Sequence, residues 1–239
     1  MPLCSMPSRI IRVGTARMLF YDLSASDTVD PELAEILSSL NTCCFGFDKE
    51  PPLQETVDRL CRSHGLILLV IEDNERPVGF ATYELTMSSV GSIVYQSRGL
   101  LREVRGQGYG STFASTAVDL YQPRYVAGRT QNPLSVWSVV KSGRFSTVFP
   151  FDKSYASSRD ATMALSELVA FRGQSGKVDA GTGLQPSSYS MGKLGDYQID
   201  MRHPGVARVT RRMSDFGLNT EQGDAIYYLA EVRTHNGPT

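Results

Sequence analysis

Residues 92–121 read SIVYQSRGLLREVRGQGYGSTFASTAVDLY, and this stretch decides the fold. Its first ten residues mix β-branched, aromatic and small polar types, the composition of a strand. Further on, Phe113, Ala117 and Leu120 or Tyr121 mark one face of a helix. Between the two, Arg105-Gly106-Gln107-Gly108-Tyr109-Gly110 sets three glycines in alternation at a strand-to-helix junction. Glycine lets backbone approach a ligand closely, and successive amides in such a bend can turn inward around an anion. The helix that follows adds unpaired N–H groups and a positive dipole end. A diphosphate suits this geometry.

On the N-terminal side, β-branched and aromatic content predicts a strand over 9–21, and Asp30-Pro31 opens a helix whose Leu33, Ile36, Leu37 and Leu40 fall at helical spacing. CCFGFDKEPP (43–52) reads as a loop, and 53–63 as a second helix stopped by Gly65. LILLVIE (66–72) and PVGFATYELT (77–86) are apolar runs separated by Asp73, Asn74, Glu75 and Arg76, as in a hairpin. On the C-terminal side, RYVAGRT (124–130) is a strand, NPLSVWSVVKSG (132–143) a helix and FSTVFPFD (145–152) a strand. The reading then expects a helix over 157–173, an irregular stretch with six glycines over 173–196, and a last strand near 223–234 that returns to the main sheet. MRHPGVARVTRRMSDF (201–216) reads as a basic surface. The expected fold is α/β: one domain over 1–155 with a twisted mixed sheet flanked by helices, and an extension over 156–239 packed on it.

Composition narrows the classes. Hydrophobic residues at 41% and charged residues at 21% of 239 exclude wholesale disorder. A net charge of −1 gives no overall attraction for nucleic acid or an anionic membrane, and no apolar run reaches the roughly 18 residues of a spanning helix. Four cysteines, with Cys43 and Cys44 adjacent, do not form a disulfide framework for a chain this long. The expectation is a cytoplasmic protein, monomer or homodimer, without nucleic-acid or membrane partners. Charge is nonetheless uneven: residues 98–144 hold seven basic against two acidic side chains, a balance of +5 that leaves −6 elsewhere. This suggests that basic residues gather at the glycine bend.

Two familiar nucleotide motifs do not fit. A Walker A loop needs a lysine after its last glycine, where this chain has Ser111 and Thr112; a dinucleotide fingerprint needs its third glycine one residue later and an earlier place in a βαβ unit. A glycine turn that only lets a helix pack on a strand is the competing structural reading. Residues 105–110, together with the order of elements around them, resemble the GNAT superfamily of acetyl-CoA-dependent N-acetyltransferases over about 9–152. The resemblance implies an acyltransferase with acetyl-CoA as acyl donor. The amides of Arg105, Gly106, Gln107, Gly108, Tyr109, Gly110 and Ser111 would hold the CoA diphosphate. The strand edge at Gly99, Leu100 and Leu101 would meet the pantetheine arm and the thioester carbonyl. Asn132, whose place before Pro133 capping alone explains, would contact pantetheine, and Ser135 would leave room for it.

One departure stands out: seven residues after that Asn, where many members have a Tyr acid, this chain has Val139. Glu84 and Tyr95 are the polar groups to test first as catalytic base or water-orienting residue, with a solvent-facing role as the competing reading. Phe45 and Phe47 lie where the family's first helices wall the acceptor pocket, although ordinary packing accounts for them equally. The acceptor is a small-molecule or peptide amine. A non-catalytic acyl-CoA-binding module on the same fold is the rival. Cys44, Cys61 and His64 match no closed zinc pattern, so no metal is expected.

Overall fold

The structure, a computed structural model, describes residues 6–24, 29–46, 53–71, 75–152, 158–195 and 197–233. In chain order its elements are β1 (Arg9–Val13), β2 (Ala16–Asp22), α1 (Pro31–Phe45), α2 (Leu53–Arg62), β3 (Gly65–Ile71), β4 (Pro77–Ser88) and β5 (Gly91–Leu100). There follow α3 (Tyr109–Tyr121), β6 (Tyr125–Thr130), α4 (Pro133–Val140), β7 (Phe145–Phe149), α5 (Arg159–Phe171), β8 (Leu184–Gln185), α6 (Pro204–Asp215) and β9 (Ala225–Val232). The protein is mixed α/β. Its contacts divide the chain into two compact units, Met1–Leu85 with Gln96–Tyr109, and Thr86–Tyr95 with Gly110–Thr239. The last strand expected near 223–234 returns to the sheet, where β9 pairs with β6 and β7.

In the first unit the strands run in the order β1-β2-β3-β4-β5. The single strand expected over 9–21 is a hairpin instead: Gly14, at φ 61°, reverses the chain so that Arg9 pairs with Phe20 and Val13 with Ala16. β3 is apolar along its length and buried from Gly65 to Val70, as a strand covered on both faces must be. α1 begins where Asp30 Oδ1 accepts from the Glu32 N–H at 2.8 Å and ends at Gly46, φ 68°, whose N–H donates to the Thr42 carbonyl. It buries Leu33, Leu37, Leu40 and Cys44. α2 stops at Arg62, ahead of Gly65, which opens β3 and is not the helix stop expected of it.

In the second unit the first residues of β5 run parallel to β6, with Ile93 opposite Tyr125 and Tyr95 opposite Ala127. Parallel neighbours need a crossover, and α3 lies in it. β9 then inserts antiparallel between β6 and β7, and β8 adds two residues beside it. α5 lays Ala161, Leu165, Leu168 and Val169 on Ile93, Tyr125 and Leu229 of this sheet. The basic stretch at 201–216 is a helix, not only a charged surface. His203 Nδ1 caps α6 by accepting from the Gly205 and Val206 N–H groups, Pro204 takes its first position, and Val206, Val209 and Met213 turn inward while Arg208 and Arg211 stay exposed. No described helix is long and apolar enough to cross a membrane.

Candidate functional site

The glycine bend follows β5 through a short 3-10 turn, Arg102–Val104, anchored by buried Val104. Arg105 turns its side chain back into the protein: Nε donates to the Leu100 carbonyl and Nη2 to the Cys44 carbonyl, each at 3.0 Å. Gln107 does likewise, Nε2 donating to the Glu103 carbonyl at 3.1 Å. The bend therefore presents backbone. Gly106 and Gly108 sit at φ 84° and 91°, and a Cβ on either would meet nothing within 4 Å. Among the described residues the N–H groups of Gly106 and Gln107 meet no acceptor. Such donors are ordinarily paired.

α3 has three features of its own. Its first turn carries no acidic residue to compete for the positive end of the dipole. The Ser111 hydroxyl is shut off from solvent and, among the described residues, has no hydrogen-bond partner. Gly110 lies against α4, where an added Cβ would sit 3.4 Å from Ser138 Oγ, so glycine here serves close helix packing. The residues present fit a diphosphate.

The three strand-end residues do not share one role. Leu101 donates its N–H to the Val78 carbonyl at 2.9 Å, and the Gly99 carbonyl lies beside Gly79, so both face β4. By the alternation of an antiparallel ladder the Leu100 N–H faces the opposite edge. Of the three, only the Leu100 N–H faces away from β4. Gly99 is needed because a Cβ would strike Phe80 and Cys44 at 2.7 and 2.8 Å.

On α4, Asn132 accepts from the Leu134 N–H through Oδ1 at 2.9 Å, and Ser135 is half-buried one turn on. Val139 is fully buried in the core, so the position where the family often has a phenol supplies packing. Ser138 Oγ donates to the Ser135 carbonyl at 2.7 Å.

Glu84 and Tyr95 are 3% and 4% exposed, so neither is the solvent-facing residue that the competing reading held. Tyr95 packs 6.3 Å from Tyr227 between ring centroids and carries the Arg172 guanidinium over its face at 4.3 Å. Three members of the +5 run are engaged with protein groups. Arg105 clamps carbonyls, Arg124 pairs with Asp160 and Glu231, and Arg144 pairs with Asp119. Charge counted along a chain says nothing of where long side chains reach.

Among the described residues no cluster holds a metal. His64 Nδ1 accepts from the Leu85 N–H at 3.2 Å, Cys61 is exposed, and burial pushes the Cys44 thiol up to about 12 even though Arg105 pulls it down. Phe45 meets Phe80 edge to face at 6.4 Å as core packing; Phe47 lies outside the described residues.

A polar cluster in the second unit escaped the sequence reading. Arg129 on β6 reaches Gln185 and Tyr189, with Tyr227 opposite it on β9. The signal was present: one arginine inside the apolar strand YVAGRT, and paired tyrosines in AIYYLAEV.

No protein-family model matches the chain, and no curated protein matches it. Among solved structures it is similar to a GNAT-family acetyltransferase from Streptococcus pneumoniae, at 16% identity over 55% of this chain and 87% of that one, TM-score 0.40. It is similar to a phosphinothricin acetyltransferase from Sinorhizobium meliloti in complex with AcCoA, at 15% identity over 56% and 77%, TM-score 0.41. A third is the ribosomal-protein-S5-alanine acetyltransferase from Vibrio fischeri, at 8% identity over 59% and 85%, TM-score 0.41. Each is a partial backbone likeness at low identity.

Proposed function

We propose that this protein is an acetyl-CoA-dependent N-acetyltransferase of the GNAT type, acting by direct transfer in a ternary complex. The observation that carries the proposal is the glycine bend, whose Gly106 and Gln107 N–H groups meet no acceptor in the described chain while Arg105 and Gln107 turn their side chains away. These amides, with those of Gly108, Tyr109, Gly110 and Ser111, would hold the diphosphate, and Asn132 and Ser135 would meet the pantetheine. Acetyl-CoA supplies an acyl thioester. The Leu100 N–H would polarise its carbonyl, the kind of fixed dipole that contributes most to acyl transfer.

The amine must be neutral to attack. With a pKa of about 10.4, fewer than about one lysine-like amine in a thousand is neutral at pH 7, so a base or a water relay contributes. Glu84 and Tyr95, both buried polar groups, are the residues to test for that role. The acceptor is a small-molecule or peptide amine.

A second reading has its own observation. Val139 stands in the core where a proton-donating phenol would be expected, which favours an acyl-CoA-binding module without turnover. Thiol release from acetyl-CoA against a panel of amines separates the two. Release above the amine-free rate supports transfer; CoA binding with no such release supports the module.

A further inference from the structure

α6 runs beside a surface groove of about 560 Å³ whose lining lies wholly in the second unit. That is the size of an ordinary small-molecule site, roughly 300–1,000 Å³. Met201, Pro204 and Ala207 give the groove apolar surface, and Arg208, Arg211 and Arg212 give it charge. From 201 to 215 the chain holds four arginines against one acid, Asp215, a balance of +3 in a protein whose total is −1. A generally basic composition does not account for this cluster.

The arginines differ in what already engages them. Arg202, which also lines the groove, is held by Asp200, with Nε 2.9 Å from Oδ1 and Nη2 3.3 Å from Oδ2. Arg212 lies over the Phe216 ring at 5.0 Å, and its Nη1 comes only to 3.9 Å from Asp215 Oδ2, beyond hydrogen-bond reach. Arg208 and Arg211 are exposed, and among the described residues neither has a hydrogen bond or an ion pair.

Helix energetics do not explain the set. A cation in the last turn offsets the helix dipole, and that covers Arg212 alone. Arg208 stands three residues before Arg211 and four before Arg212, spacings that bring like charges together on one helix face and weaken the helix. A solvated face ordinarily intersperses the two signs. What offsets this repulsion is an anion.

The chemistry narrows which anion. One guanidinium fork satisfies the two oxygens and single charge of a carboxylate. Three guanidinia in one groove exceed that need and match a phosphate monoester, with three terminal oxygens and about −1.5 to −2 charges at pH 7. The apolar residues beside them suit the organic part of such a molecule. Nucleic acid is served by a strongly basic domain, which a total of −1 does not provide.

We propose that this groove is a binding site for a small-molecule phosphate monoester, with Arg208, Arg211 and Arg212 on the phosphate and Met201, Pro204 and Ala207 against its organic part. The site owes nothing to the glycine bend or to the acetyl-transfer reading.

The test is calorimetry on the full chain at pH 7.5, with phenyl phosphate, inorganic phosphate, benzoate and a short peptide carrying one phosphoserine as probes. Phenyl phosphate is expected to bind at least about tenfold more tightly than benzoate and several-fold more tightly than inorganic phosphate. Arg208→Gln combined with Arg211→Gln changes two exposed positions, so the variant should fold by circular dichroism and bind phenyl phosphate at least about tenfold more weakly. Arg9→Gln combined with Arg12→Gln removes the same charge from β1 and should leave the affinity unchanged. Phenyl phosphate should also still bind the Gly106→Asp variant, whose bend is blocked. Equal affinity for benzoate overturns the assignment to phosphate, and equal affinity for inorganic phosphate overturns the apolar half of the site. Unaltered binding in the folded 208/211 variant overturns the site; an equal loss in the β1 variant reduces it to general charge and overturns it too. Loss in Gly106→Asp with none in the 208/211 variant moves the phosphate to the bend. Tighter binding of the peptide overturns the small-molecule assignment.

Discussion

The Arg105 guanidinium and the Leu100 carbonyl are joined by an Nε–H···O bond of 3.0 Å, which closes the turn between β5 and the glycine bend. The same side chain reaches the Cys44 carbonyl in α1. An arginine beside a phosphate loop invites the idea that it neutralises the phosphate, but here it fixes the backbone that does the binding.

Arg105→Ala should therefore cost about 1.5–3 kcal/mol, the usual worth of hydrogen bonds to a charged group, and should loosen the bend. Urea denaturation measures the first, and CoA titration the second. Arg105→Lys keeps the charge but cannot bridge two carbonyls with a fork, so it should recover less than half the affinity. Full recovery would mean that charge alone matters.

Asn132 separates capping from ligand binding. Asn132→Ala should lose about 1 kcal/mol of stability as the Leu134 N–H loses its partner. Asn132→Asp keeps the cap and should leave stability within about 0.5 kcal/mol. If Asn132 also meets pantetheine through its amide, the Asp variant binds CoA more weakly without being less stable. Unchanged affinity in the Asp variant would confine Asn132 to capping.

Cys44 is buried, whereas Cys43 and Cys61 are exposed. In the native protein a thiol reagent at pH 8 should modify Cys43 and Cys61 and spare Cys44, as peptide mass mapping would show. Burial raises its folded pKa to about 12 from the model-compound value of 9.0. A raised thiol pKa favours the neutral folded form, so its stabilising share is complete below pH 9 and falls as pH climbs from 9 toward 12. Denaturation at pH 8 and pH 10.5 would show the decline, and Cys44→Ser should flatten it.

Gly223 stands at φ 79°, and a Cβ there would collide with the Tyr189 carbonyl, while its own carbonyl accepts from the Tyr189 N–H at 2.9 Å. Gly223→Ala should be destabilising by more than the roughly 1 kcal/mol of positive-φ strain alone. It should also loosen the 173–195 segment that carries Tyr189. Hydrogen exchange at Tyr189 would report this directly; unaltered protection would contradict the packing described.

The elements that sequence patterns revealed best were those in which local chemistry and burial coincide. Asp30-Pro31 and Asn132-Pro133 start helices where capping predicts, and the apolar run at 66–71 is a buried strand. Residues 9–21 failed because one glycine, Gly14, turns a continuous β-like pattern into two paired strands. α6 was hidden by its three arginines, since exposed Arg208 and Arg211 mask the inward row Val206, Val209 and Met213. In the candidate site the bend was legible because glycine spacing is itself a backbone statement. Which way the Leu100 and Leu101 amides face depends on β4, and the Arg129 cluster depends on β8 and β9, which lie some 55 to 100 residues away in sequence. No local pattern encodes such pairings.

The most direct test of the central claim is a calorimetric titration of CoA into the full chain beside its Gly106→Asp and Gly106→Ala variants. Both substitutions share the positive φ and meet open space, so both should fold. The unmodified protein should bind CoA, Gly106→Ala should bind within about tenfold of it, and Gly106→Asp, with a carboxylate set among the diphosphate donors, should show no binding. Equal CoA affinity in the Asp and Ala variants would contradict the claim that these amides hold the diphosphate.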